Sequence, residues 1–131
     1  MFPTRGWIGV TVALACVAPH AAADAAPRGE EIYSRCLACH ALAYDRVGPR
    51  HCGLFGRRAG SVPGFDYSDA MRKSGIVWDA ATLDRFLAAP TQVVPGTTMG
   101  YAGIPDPAER AALIAWLRDA SRSAKSCPQP Q

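Results

Sequence analysis

The feature that most constrains this chain is a run of five residues, Cys36-Leu37-Ala38-Cys39-His40. Two cysteines three positions apart at a helix end turn their sulfurs to one side. That spacing reaches both vinyl groups of a haem, and the histidine that follows directly can ligate the iron. The same run could be half of a zinc site, but no second Cys/His pair stands elsewhere to close it. His51 and Cys52 could contribute, although adjacent residues chelate awkwardly. A redox dithiol of the thioredoxin kind would need a βαβ pattern, and none is visible.

The N-terminus bears on the choice. Arg5 precedes an apolar run from Trp7 to Ala18, followed by Pro19-His20 and Ala21-Ala22-Ala23, a site of the A-x-A kind. This predicts a cleaved secretory signal over residues 1–23 and one domain over 24–131. The apolar run has 12 residues, short of the ~20 that span a membrane, which argues against an uncleaved anchor. A lipoprotein reading through Cys16 is weakened by Ala13, where a larger aliphatic is expected. The expected destination is a bacterial periplasm, and in an exported chain the pentad favours haem attachment.

Cleavage after residue 23 leaves 108 residues with 13 basic and 11 acidic side chains, and the cysteines Cys36, Cys39, Cys52 and Cys127. So small and dispersed a charge gives no reason to expect nucleic acid as a partner. Cys52 and Cys127 are unneeded by a haem and would sit in an oxidising compartment, so a disulfide between them is expected.

Helical patterning appears in four places. Residues 28–39 form a first segment ending at the cysteine pair. Residues 68–74 form a second, stopped by Gly75. Residues 79–89 place Leu83, Phe86 and Leu87 on one stripe and end before Pro90. In the fourth, Asp106 caps, Pro107 takes the first helical position, and Leu113, Ile114, Trp116 and Leu117 carry the apolar face to about Ser121. Strand patterning is nearly absent. The Gly/Pro-rich connections at 48–49, 53–64 and 95–103 are long, and such loops need something central to pack on.

A haem iron has two axial positions. Beside His40, the residues able to fill the second are Met99, Met71 and His51. Met99 is the expected ligand, because the segment Pro95-Gly96-Thr97-Thr98-Met99-Gly100-Tyr101 reads as an irregular loop able to present a sulfur. Met71 lies in a helical segment, where packing is the default, and His51 reads as a peripheral polar residue. A His/Met pair saturates the iron and raises its potential, which favours electron transfer over binding of oxygen or peroxide.

Across these residues the chain resembles the small soluble cytochromes c of the mitochondrial type and their bacterial counterparts. The resemblance is carried by Cys36 to His40, Val47-Gly48-Pro49, Gly53-Leu54-Phe55-Gly56-Arg57, Pro63 to Ala70, Gly75-Ile76-Val77-Trp78, Pro95 to Met99, Ala102-Gly103-Ile104, and Glu109-Arg110 with Leu113 to Leu117. These span nearly all of 24–131, in order. The resemblance implies an all-α cytochrome c fold, with three to five short helices and long loops wrapped around one covalently bound haem c. It implies attachment through Cys36 and Cys39, and iron ligation by His40 and Met99. The Pro49 carbonyl would accept a hydrogen bond from His40, and Arg57, Tyr67, Trp78 and Thr97 would surround the haem propionates. Gly29 would let the first and last helices cross closely, with Trp116 filling the contact.

Some positions depart from that pattern. The stretch between His40 and Gly48 is about three residues shorter than in the mitochondrial proteins, and His51 stands where the family has a large aliphatic. Met71 replaces a polar residue, Phe86 stands where a tyrosine often bonds the methionine sulfur, and Tyr101 replaces a phenylalanine. The ring of docking lysines is absent, with Thr91, Gln92, Thr98, Pro105 and Asp106 in those places. The implied function is a soluble periplasmic electron carrier rather than an enzyme, a monomer without stable membrane insertion. It would shuttle single electrons between membrane-bound or periplasmic donor and acceptor proteins. The rivals are a haem enzyme or gas-binding haem protein with an open axial site, and a zinc-stabilised interaction module.

Overall fold

The computed structural model describes residues 25–128; the signal segment expected over residues 1–23 lies outside them. Five α-helices and one 3-10 turn make up the regular structure of the described residues, and no helix there is long and apolar enough to cross a membrane. Among the described residues, extended backbone pairs at a single point, between Arg58 and Val77.

Helix α1, Ala25–Tyr33, does not continue as an α-helix to Cys39 as the sequence suggests. It tightens into a 3-10 turn at Ser34–Cys36. The Ser34 hydroxyl donates to the Glu31 carbonyl (2.6 Å), taking up an acceptor of the last helical turn. The next turn is closed by the Cys39 and His40 amides, both donating to the Cys36 carbonyl (3.1 and 2.9 Å). This curl ends with His40 pointed inward and buried.

Helix α2, Asp69–Lys73, starts where the Ser68 hydroxyl accepts from the Met71 amide, and stops at Ser74, before Gly75 at φ +70°. Helix α3, Ala80–Ala88, opens on a reciprocal cap between Asp79 and Thr82. Pro90 ends it as expected. The sequence reading missed that the same proline opens a further short helix, α4, Pro90–Val93. A fixed φ and missing amide bar proline from continuing one helix and suit it to the first turn of the next. Helix α5, Pro107–Ala120, follows the expectation closely, with the Asp106 carboxylate accepting from the Ala108 amide (2.8 Å) and Ser121 at the end.

The helices α1 and α3 both pack on α5, around Leu113, which is fully buried, and Ile32 and Ile104. The crossing of α1 and α5 turns on Gly29. A Cβ there would collide with the Cβ of Trp116 and lie 2.5 Å from the Ala112 carbonyl oxygen. Gly29→Ala is therefore expected to destabilise the fold by roughly 1–3 kcal/mol through overpacking, despite the higher helix propensity of alanine. Chemical denaturation of the two proteins measures it. Two ion pairs reinforce this packing, Arg35 of the 3-10 turn with Glu109 of α5 (2.8 Å) and the half-buried Arg110 of α5 with Asp84 of α3 (2.7 Å); the first is exposed, and exposed pairs contribute at most about 1 kcal/mol.

After α5 the chain turns back on itself. The Gly53 amide donates to the Ser121 carbonyl (3.0 Å), and Cys127 is joined to Cys52 by the expected disulfide, Cα atoms 5.5 Å apart.

Candidate functional site

The long loops and the inner faces of the helices enclose a cavity of about 500 Å³. All nine residues singled out from the sequence line it: Cys36, Cys39 and His40 from the curl after α1, Pro49, Arg57, Tyr67, Trp78, and Thr97 and Met99 from the loop after α4. The rest of the wall is largely apolar, including Leu54, Phe86 and Leu113. Met71 lines the cavity too while belonging to the buried core, consistent with a packing role.

The thiols of Cys36 and Cys39 are free, the first half-buried and the second exposed. His40 is held by its surroundings. Its Nδ1 lies 2.8 Å from the Pro49 carbonyl oxygen. A carbonyl only accepts, so Nδ1 carries the proton and Nε2 keeps a lone pair for a metal. Burial lowers the His40 pKa and favours this neutral form. Gly48 lies directly against the ring, where a Cβ would come within 2.6 Å of both ring nitrogens. The Gly48 amide donates to the Cys39 carbonyl (2.7 Å), which fixes that approach.

Met99 is half-buried and packs on the core. Its amide donates to the Thr97 hydroxyl oxygen (3.2 Å), leaving the Thr97 O–H available as a donor. Arg57 is the most telling polar residue. Its two terminal nitrogens donate to the carbonyls of Cys52 (2.8 Å) and Arg50 (2.9 Å), while its Nε is buried with no hydrogen-bond partner among the described residues. Burial lowers the pKa of this guanidinium. A half-buried cation with a buried N–H unmet is a ready donor to an acidic group in the cavity. The donor set, the apolar wall and the unmet Arg57 Nε together fit a haem with its propionates.

His51 corrects the expectation of a peripheral role. Its ring stacks on His40, centroids 4.4 Å apart and planes 22° from parallel, and its Nδ1 lies 3.0 Å from the Tyr33 hydroxyl. Burial above all, then the proximity of His40 and Arg57, holds His51 well below the usual histidine pKa. The one sequence signal for this was a histidine where the family has an aliphatic. Among the described residues no three or more His, Cys, Asp or Glu side chains gather as a metal site, so the zinc reading lacks a ligand set.

No family model matches the chain. Curated relatives do. Cytochrome c2 of Blastochloris viridis is 42% identical over 113 residues, covering 84% of this chain and 88% of the relative. Cytochrome c2 of Rhodomicrobium vannielii is 47% identical over 93 residues, covering 69% and 74%. Among solved structures, cytochrome cH from Methylobacterium extorquens superposes with a TM-score of 0.69 at 42% identity, covering 71% of this chain and 96% of that one. Fold, cavity and relatives define a small monohaem c-type cytochrome, with one covalently bound haem c as its cofactor. Within that class the chain belongs to the cytochrome c2 family. It is an electron carrier and not an enzyme.

Proposed function

We propose that residues 1–23 are a secretory signal and that residues 24–131 fold around the haem and carry electrons in the periplasm. In this reading Cys36 and Cys39 hold the haem by thioether bonds, and His40 and Met99 are the axial ligands. Pro49 orients His40, and Arg57, Tyr67, Trp78 and Thr97 face the propionates. When bound, the haem supplies a single Fe(III)/Fe(II) electron step. The chain's own residues seat it, exclude water with the apolar wall, and keep the His40 proton on Nδ1.

The observation that carries this reading is the convergence of all nine residues on one cavity, with the buried Arg57 Nε unpartnered among the described residues. Exposed Tyr44 and Val47, on the loop between Cys39 and Pro49, offer apolar surface near the pentad for short-lived contacts with donor and acceptor proteins. Such partners would dock without the lysine ring of the mitochondrial proteins.

The test is one preparation of the exported holoprotein. Its intact mass should equal residues 24–131 plus one haem. Its spectrum should show a sharp reduced α band and a weak red sulfur-to-iron band in the oxidised form. Ready binding of carbon monoxide and no red band would support the rival with an open axial site.

A further inference from the structure

We propose that His51, held by Tyr33, is a positioning residue that fixes the ring plane of His40 and thereby tunes the potential of the iron. The inference rests on the reading of His40 as an axial ligand and adds a second layer behind it.

The His40 ring can be held in few ways. The bond to the Pro49 carbonyl fixes one atom, Nδ1, and a single hydrogen bond leaves the ring free to rock about it. Two further contacts remove that freedom. Gly48 abuts the ring: a hypothetical Cβ would collide with Cε1 and lie 2.6 Å from both Nδ1 and Nε2, too near the nitrogens for an in-plane approach past Cε1, which places that backbone over a face. His51 stacks on the ring almost in parallel.

The orientation of His51 is itself fixed. Its backbone amide donates to the carbonyls of Ala41 and Leu42 (3.2 and 3.0 Å), and its Nδ1 is hydrogen-bonded to the Tyr33 hydroxyl. Tyr33 is buried and wedged between His51 (5.7 Å, edge-on) and Trp116 (4.6 Å). A path of packed rings therefore runs from the α1–α5 crossing to His40. A large aliphatic at position 51 could fill the same volume, but it has no plane to align with and no atom to bond Tyr33.

Two consequences follow. The ring plane of an axial imidazole sets the asymmetry of the electron distribution over the haem, so loosening it changes the spread of haem methyl signals in the ferric protein. A polar ring packed on the ligand also favours the more highly charged ferric state relative to an aliphatic, through the local polarity that tunes haem potentials.

The experiment compares the holoprotein with His51→Leu, His51→Phe and Tyr33→Phe by redox titration against a reference dye and by proton NMR of the ferric form. His51→Leu is expected to shift the equilibrium toward Fe(II) by roughly three- to tenfold, or ~30–60 mV for one electron, and to change the methyl pattern. His51→Phe keeps a stacked plane and should preserve the pattern better than leucine does. Tyr33→Phe should alter the pattern with a smaller shift in potential. A folded His51→Leu holoprotein with wild-type potential and wild-type methyl pattern overturns the inference. Absence of the red sulfur-to-iron band in the unmutated protein would instead remove the His/Met reading beneath it.

Discussion

Replacing Met99 with alanine is expected to abolish the red sulfur-to-iron band, open an axial position to carbon monoxide, and lower the midpoint potential by roughly 0.2 V. That is about a quarter of the ~0.8 V over which axial ligands set haem potentials, and the sign follows because a thioether ligand raises them. The substitution isolates the sulfur because the loop around it is held by other atoms. The Thr97 amide donates to the Val94 carbonyl (3.0 Å), and Gly96 takes the left-handed turn at φ +90°. The Met99 amide reaches Thr97 through the backbone, so alanine keeps that bond. Spectroelectrochemistry of the two holoproteins checks potential and band together. A Met99→Ala protein that retains the band would transfer the ligand role to Met71, the other thioether lining the cavity.

Local chemistry made much of the fold legible. The caps of α2, α3 and α5 rest on side chains next to the amides they satisfy, namely Ser68, Asp79 and Asp106, so their positions can be read from neighbours in sequence. Pro90 was legible as a stop and not as a start, because both outcomes use the same fixed φ and only the direction of the following backbone separates them. The tightening after Tyr33 was hidden for a related reason. It depends on Ser34 bonding backward to Glu31, a choice open to any serine near a helix end.

The site was legible where one residue type has few uses. A pair of cysteines followed by histidine has a narrow chemistry, and so does a methionine in a glycine-rich loop. The orphaned Arg57 Nε was not readable, because it requires knowing that both terminal nitrogens are already spent on the carbonyls of Arg50 and Cys52. The same holds for His51. As an isolated residue between Arg50 and Cys52 it reads as polar surface. It turns inward because the 49–53 segment is fastened on both sides, by the Pro49 bond to His40 and by the bond of Cys52 to the tail.

That second fastening leads to the other large effect. Holoprotein carrying Cys52→Ser and Cys127→Ser is expected to be less stable by about 3 kcal/mol, with Tm lower by roughly 12–20 °C for a domain of this size. The disulfide joins residues 75 apart, and closing a loop of that span restricts the unfolded chain by ~4.5 kcal/mol in the entropic account, slightly above the usual ~2–4. A haem held through Cys36 and Cys39 does not replace this restraint, since its two attachment points lie within one turn of each other. The folded side of the balance also depends on the bond. Cys127 is buried, and the tail that carries it is otherwise held mainly by the Gly53–Ser121 contact and by turns within itself, such as the Cys127 amide to the Ser123 carbonyl (2.7 Å). Loosening should reach the cavity as well, because the Cys52 carbonyl is one of the two acceptors that hold Arg57. Thermal unfolding of the double variant beside the parent measures the loss. A fall of less than about 3 °C would mean that the tail is held without its staple, and that the strength of this fold lies in the α1–α5 crossing and the haem alone.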